Sequence, residues 1–111
     1  MFGIGSDFAL VQLYGAEGAS PETTSTLAFD AFDPAVLTGE YAPYLSTFAV
    51  AGPARGVDIR GLAYEVEQFT LPEQTSRGLS NEFTGKAAQL SVQLGSLLVV
   101  FPLDALAYAR S

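Results

Sequence analysis

Histidine, cysteine and tryptophan are all missing from the chain, and charge of positive sign is scarce: four Arg and one Lys. Each absence excludes a class of chemistry. Without Cys or His there is no thiolate–imidazole zinc site, no disulfide, no thiol nucleophile and no Ser-His-Asp triad. No run approaches the roughly 18 apolar residues of a membrane-spanning helix. The absence of cysteine also leaves the redox compartment open, since the chain neither uses nor avoids an oxidising one.

What is present is acidic, apolar and short. The 111 residues support a single domain, with twelve Asp and Glu for a net charge of −7 and an apolar fraction of 49%. Charged residues make up 15%, against roughly 25% in an average soluble domain. Five basic residues scattered at Arg55, Arg60, Arg77, Lys86 and Arg110 cannot build a counterion-releasing footprint, which argues against nucleic acid as a partner. The acids, spread from Asp7 to Asp104, make too thin a row to imitate a phosphate backbone. The opening Met1-Phe2-Gly3-Ile4-Gly5-Ser6-Asp7 has no basic region and a short apolar run, so no export signal is read and the chain is expected to be made in the cytoplasm.

The hydrophobic period is mainly two. Phe8–Tyr14, Thr26–Phe32, Leu45–Val50, Leu62–Thr70, Ala88–Leu94 and Leu97–Phe101 read as strands, with Val57–Arg60 as a short piece across a bulge. Asp33-Pro34 is an N-cap followed by a first-turn proline, and it can start one turn of helix before Thr38-Gly39. Gly95-Ser96 has the form of a two-residue type II′ hairpin turn joining the last two strands. The pattern predicts an all-β, single-domain antiparallel sandwich or small barrel of six to seven short strands, with at most one-turn helices. Residues 1–7 are expected as an N-terminal arm, 71–86 as a surface excursion and 102–111 as a C-terminal tail.

Catalytic constellations are few. Glu65 and Glu67, at i and i+2, share a strand face with Cα atoms roughly 6.5–7 Å apart. They suit a solvated face better than a catalytic dyad, which needs a pocket to raise one pKa. Asp30 and Asp33 could pair on a metal, but the capping role explains Asp33 and the loop is too poor in oxygen ligands for calcium. The glycine clusters match no phosphate-loop or dinucleotide fingerprint and read as turns. No catalytic, metal or cofactor-binding residue is assigned, no cofactor is implied, and the chain is expected not to be an enzyme.

The charge-free stretches Tyr41–Ala54 and Ala87–Leu103 carry the functional expectation. Interface centres are depleted in charge and rich in aromatics, and the chain has thirteen Phe and Tyr. Tyr41, Tyr44, Phe29, Phe32, Arg60 and Arg77 are therefore the candidate interface residues, the arginines from two Arg-Gly-Leu triplets. The expected role is a non-enzymatic structural protein within an assembly, of the capsid-decoration or head–tail kind in a virus or phage particle, with a homo-oligomer and a larger protein assembly as partners, no membrane, and incorporation into a virion. The alternative is a small acidic inhibitor or immunity-type protein that meets a basic partner through Glu65, Glu67, Glu73 and Glu82. A barrel holding a small apolar ligand is a third reading.

Overall fold

A computed structural model describes residues 2–4, 8–15, 25–38, 43–73 and 78–110. They form an antiparallel β-sandwich, the fold class that the two-residue period predicts. The described strands are β1 (Phe2–Ile4), β2 (Phe8–Tyr14), β3 (Thr26–Phe29), β4 (Tyr44–Arg60), β5 (Val66–Leu71), β6 (Leu79–Glu82), β7 (Ala88–Ser91), β8 (Leu94–Pro102) and β9 (Ala109–Arg110). Short 3-10 turns occupy Pro34–Val36 and Leu103–Tyr108.

One strand organises the molecule. Seventeen residues of straight β4 would span roughly 55 Å, yet the longest dimension of the molecule is 37 Å. The strand therefore bends. Its pairing with β8 runs evenly from Ser46↔Val100 to Val50↔Ser96 and then skips to Arg55↔Leu94, across the Gly52-Pro53 corner. The half before the corner lies in a first sheet, β1-β2-β8-β4-β6; the half after it lies in a second, β9-β3-β7-β4-β5. A strand that changes sheets at a bend is the usual corner of an orthogonal sandwich.

The alternating residues meet between the sheets. Ala9, Val11 and Leu13 of β2 face inward beside Leu97, Val99 and Phe101 of β8, in the register Val11↔Val99. Leu27 and Phe29 of β3, Ile59 of β4 and Leu90 of β7 close the core from the second sheet. Phe29 is its aromatic centre, edge-on to both Phe83 and Phe101 at 5.0 Å. Phe32 packs against Phe83 and stacks on Tyr108 at 4.4 Å. Burying rings of this size stabilises the fold by about 2–3 kcal/mol each.

Several local expectations change. Gly95-Ser96 is not a hairpin turn: both residues lie inside β8, and β7 and β8 belong to different sheets. The chain changes sheets at Val92-Gln93, whose amides donate to Ser25 and Arg55 carbonyls. Gly95 keeps φ +85° because a Cβ there would sit 2.5 Å from the Pro53 carbonyl oxygen, and Ser96 Oγ donates to the Val50 carbonyl at 2.7 Å. Val57–Arg60 is the end of β4. The run Leu62–Thr70 is strand only from Val66, and its alternation breaks at Gln68, whose φ of 51° is held by Asp58 accepting from both its backbone and side-chain nitrogens.

The expected arm, excursion and tail are all partly built into the sheets. Phe2–Ile4 pair with β2. Residues 71–86 include β6 and the buried Asn81 and Phe83. Residues 102–111 include a 3-10 segment with Ala105 buried, and β9, which pairs with β3.

Candidate functional site

The outer face of the first sheet carries a depression of about 500 Å³ lined by Phe8, Tyr44, Ser46, Phe48, Ser80 and Val100. The register explains its shape. Ser46 on β4 lies between Ser80 on β6 and Val100 on β8, so three small side chains in a row form the floor. The larger Phe8, Tyr44 and Phe48 surround it. A second depression of about 350 Å³ shares Tyr44 and Ser80 and is completed by Tyr64, Asn81 and Glu82. Tyr44 and Glu82 are direct cross-strand partners, so their side chains leave the sheet on one side. The intervening Leu45, Thr47 and Asn81 point inward and are buried.

Tyr64 reaches this place on a loop, Gly61–Glu65, that is laid along β6. Ala63 N–H donates to the Glu82 carbonyl, and the Thr84 hydroxyl donates to the Gly61 carbonyl. Glu65 accepts from the Gly61 amide at 2.8 Å, which closes the loop on itself. The backbone is thereby satisfied and the Tyr64 ring is left 67% exposed, the most exposed large apolar side chain described. Tyr44 is 52% exposed. Two open tyrosines, a carboxylate and two serine hydroxyls line the paired depressions, and the described lining residues include no Arg or Lys. Such a lining can stack on a flat ring, oppose a positive charge and hydrogen-bond a polar edge.

The predicted interface residues are not brought together. Phe29 and Phe32 are core residues, 2% and 8% exposed: Phe29 meets Phe101 between the sheets, and Phe32 packs on Phe83 and Tyr108. Arg60 pairs with Glu67 at 3.2 Å on an exposed edge. Tyr44, exposed at the start of β4, is the described member of the set that lines the site. Tyr41 and Arg77 lie outside the described residues. Three of the four acids of the expected inhibitor face have separate local partners: Glu65 accepts from the Gly61 amide, Glu67 pairs with Arg60, and Glu73 accepts from the Gly52 amide, while Glu82 lines the second depression. Asp33 caps its 3-10 turn through the Ala35 amide, and Asp30 pairs with Arg110. Among the described residues no group of three or more acidic side chains is gathered for a metal, and no helix is long and apolar enough to cross a membrane.

Ser80 and Asn81 are absent from the sequence candidates because their segment reads as a polar excursion, and Glu82 is there only as one acid of the inhibitor-type face. The signal lay in Asn81, a polar residue at the inward position of a Leu-Ser-Asn-Glu strand.

Comparison with known proteins identifies what this architecture resembles. The family model described as thiamin pyrophosphokinase, vitamin B1 binding domain, matches residues 35–99. Among solved structures, thiamine pyrophosphokinase from Bacillus subtilis superposes with a TM-score of 0.64 at 12% identity, over 91% of this chain and 40% of that one. The enzyme from Geobacillus thermodenitrificans gives 0.64 at 16% identity, over 94% and 41%. A thiamin pyrophosphokinase family protein from Enterococcus faecalis gives 0.59 at 16%, over 91% and 39%. Among curated proteins no sequence matches. The chain spans about two-fifths of the length of the solved proteins it resembles.

These matches overturn the expectation of a non-enzymatic virion component, whether capsid decoration or head–tail protein, and with it the inhibitor alternative: the matching domain is that of a kinase. The physical source of the error is visible in the sheets. The described parts of the charge-free stretches lie mainly in β4, β7 and β8, each flanked by strands on both sides.

Proposed function

Since the chain belongs to the thiamin pyrophosphokinase vitamin B1 binding domain family, we propose that it is the thiamin-binding part of a pyrophosphokinase and holds thiamin in the paired depressions over β4 and β6. The observation that carries the reading is the coincidence of two things: the matched span, residues 35–99, and the walls of the site at Tyr44, Tyr64, Ser80 and Glu82, all inside it. Thiamin is a flat aminopyrimidine joined to a permanently cationic thiazolium that bears a hydroxyethyl arm. The open tyrosine faces suit stacking on either ring and attraction to the thiazolium charge. Glu82 supplies an opposing carboxylate, and the serine hydroxyls can meet the amino and hydroxyl groups.

The role of this chain in the reaction is to bind and orient the acceptor. A pyrophosphoryl donor is held by cationic groups that match its phosphate oxygens, and the described lining residues of these depressions are aromatic, hydroxyl, amide, carboxylate and aliphatic instead. Titration of thiamin into the folded chain, followed by calorimetry or amide NMR shifts, tests the reading. Saturable binding is expected, with shifts on β4 and β6, and Tyr44→Ala or Glu82→Gln should each weaken it by about fivefold to tenfold. Absence of binding, or shifts confined to another face, would overturn it.

A further inference from the structure

Asn81 is one of three polar residues buried among the described ones, only 2% exposed, and it points inward from β6 beside Leu45. A primary amide in such a place must have its donors and acceptors met, or its burial costs about 1–3 kcal/mol per unmet group. Here they are met by the loop that carries Tyr64. Asn81 Oδ1 accepts from the Tyr64 amide at 2.9 Å and from the Glu82 amide at 3.0 Å, while Nδ2 donates to the Tyr64 carbonyl at 2.7 Å. The orientation is fixed by this set: the reverse amide would place NH2 against two N–H donors.

We infer that Asn81 is a positioning residue for the ligand site: its buried amide grips both backbone groups of Tyr64 and so holds that ring over Glu82 and Tyr44. The inference rests on the thiamin-site reading above. The remaining loop bonds, Ala63 N–H to Glu82 and Thr84 to Gly61, fasten the segment before Tyr64, and the Gly61 amide to Glu65 closes the loop, but none of them holds Tyr64 itself. A two-point grip on the N–H and C=O of one residue, the peptide units on both sides of its Cα, fixes both the position of the Tyr64 Cα and the direction in which its side chain leaves. The ring, being two-thirds exposed, has little packing of its own to do so.

The test is a double-mutant cycle on the full chain, with wild type, Asn81→Ala, Tyr64→Ala and the double variant titrated with thiamin, and amide exchange read by NMR. The Asn81→Ala protein should remain folded, with exchange at Tyr64 faster by about tenfold or more while that at Leu97 and Val99 is unchanged. Its thiamin affinity should fall about tenfold, and the double variant should bind little more weakly than Tyr64→Ala alone, because Asn81 acts through that ring. Additive losses, or an Asn81→Ala protein with wild-type affinity, would overturn the inference and leave the thiamin site intact. Failure of the wild type to bind thiamin would overturn both. Should Asn81→Ala not fold, Asn81→Ser, which keeps a small polar group in the site but is too short to hold both backbone groups of Tyr64, gives the same cycle and is read by the same outcomes.

Discussion

Gly61 begins the loop that presents Tyr64, and its backbone shows how closely that loop is laid. Its φ is +80°, and a Cβ built there would lie 2.0 Å from the Ala87 carbonyl oxygen and 2.8 Å from the Ala88 Cα. The left-handed backbone alone costs an L-residue about 1–2 kcal/mol, and the clash is with backbone, which cannot swing away. Gly61→Ala should therefore destabilise the chain by at least about 2 kcal/mol, seen as a lower urea midpoint with an unchanged slope. Asp104 makes a different kind of contact. The Thr38 hydroxyl donates to its carboxylate at 2.8 Å and the Thr38 amide at 3.0 Å, and these bonds hold its pKa below the ordinary 3.8. A carboxylate with a lowered folded pKa contributes stability above its unfolded pKa and loses it as pH falls through the folded one. Asp104→Asn should thus lower the melting temperature at pH 7, and the gap to wild type should close below about pH 3.8. Melting curves at pH 7 and pH 3 check the sign; a gap that widened in acid would contradict the assignment.

At the scale of elements, the strands whose alternation faces one core were readable from the residues. β2 shows it at Ala9, Val11 and Leu13, and β8 at Leu97, Val99 and Phe101. The cap at Asp33 was equally local. What could not be read was which strands share a sheet. Gly95-Ser96 has hairpin chemistry, yet the chain crosses between sheets two residues earlier, since β8 finds longer partners in β2 and β4 than β7 could give it. Leu62–Thr70 alternates in sequence, but Asn81 takes the backbone of Tyr64 and Asp58 takes that of Gln68, contacts from distant elements that no window of sequence contains. Two substitutions separate a central element from the site it supports. Val99, fully buried in β8, should not tolerate an unpaired carboxylate, and Val99→Asp should abolish folding. Tyr44→Ala, at an exposed position at the start of β4, should cost under about 1 kcal/mol and leave the circular dichroism spectrum unchanged.

The molecule as a whole carries a charge of −7, and its sparse charges first suggested burial in an assembly. The sheets account for that sparseness, because the strands flanked on both sides need little polar cover, and the acids that remain act as a field instead. A cation approaching the depressions over β4 and β6 meets Glu82 at the wall, with no compensating Arg or Lys among the described lining residues. Attraction of one charge at contact through a wet interface is worth about 1 kcal/mol, roughly fivefold in affinity, and salt screens it within about 10 Å at 0.1 M. Stacking on Tyr44 and Tyr64 carries no such dependence. Thiamin binding should therefore weaken roughly threefold to fivefold between low and about 0.5 M salt and then level off at the contribution of the rings. Glu82→Gln should show both weaker binding and a smaller salt response, whereas Tyr64→Ala should lower affinity equally at the two salt concentrations. Calorimetric titrations of the three proteins at both concentrations separate the two contributions. A wild-type affinity indifferent to salt would assign recognition to the aromatic faces and hydroxyls alone, and would leave the acidic field to solubility.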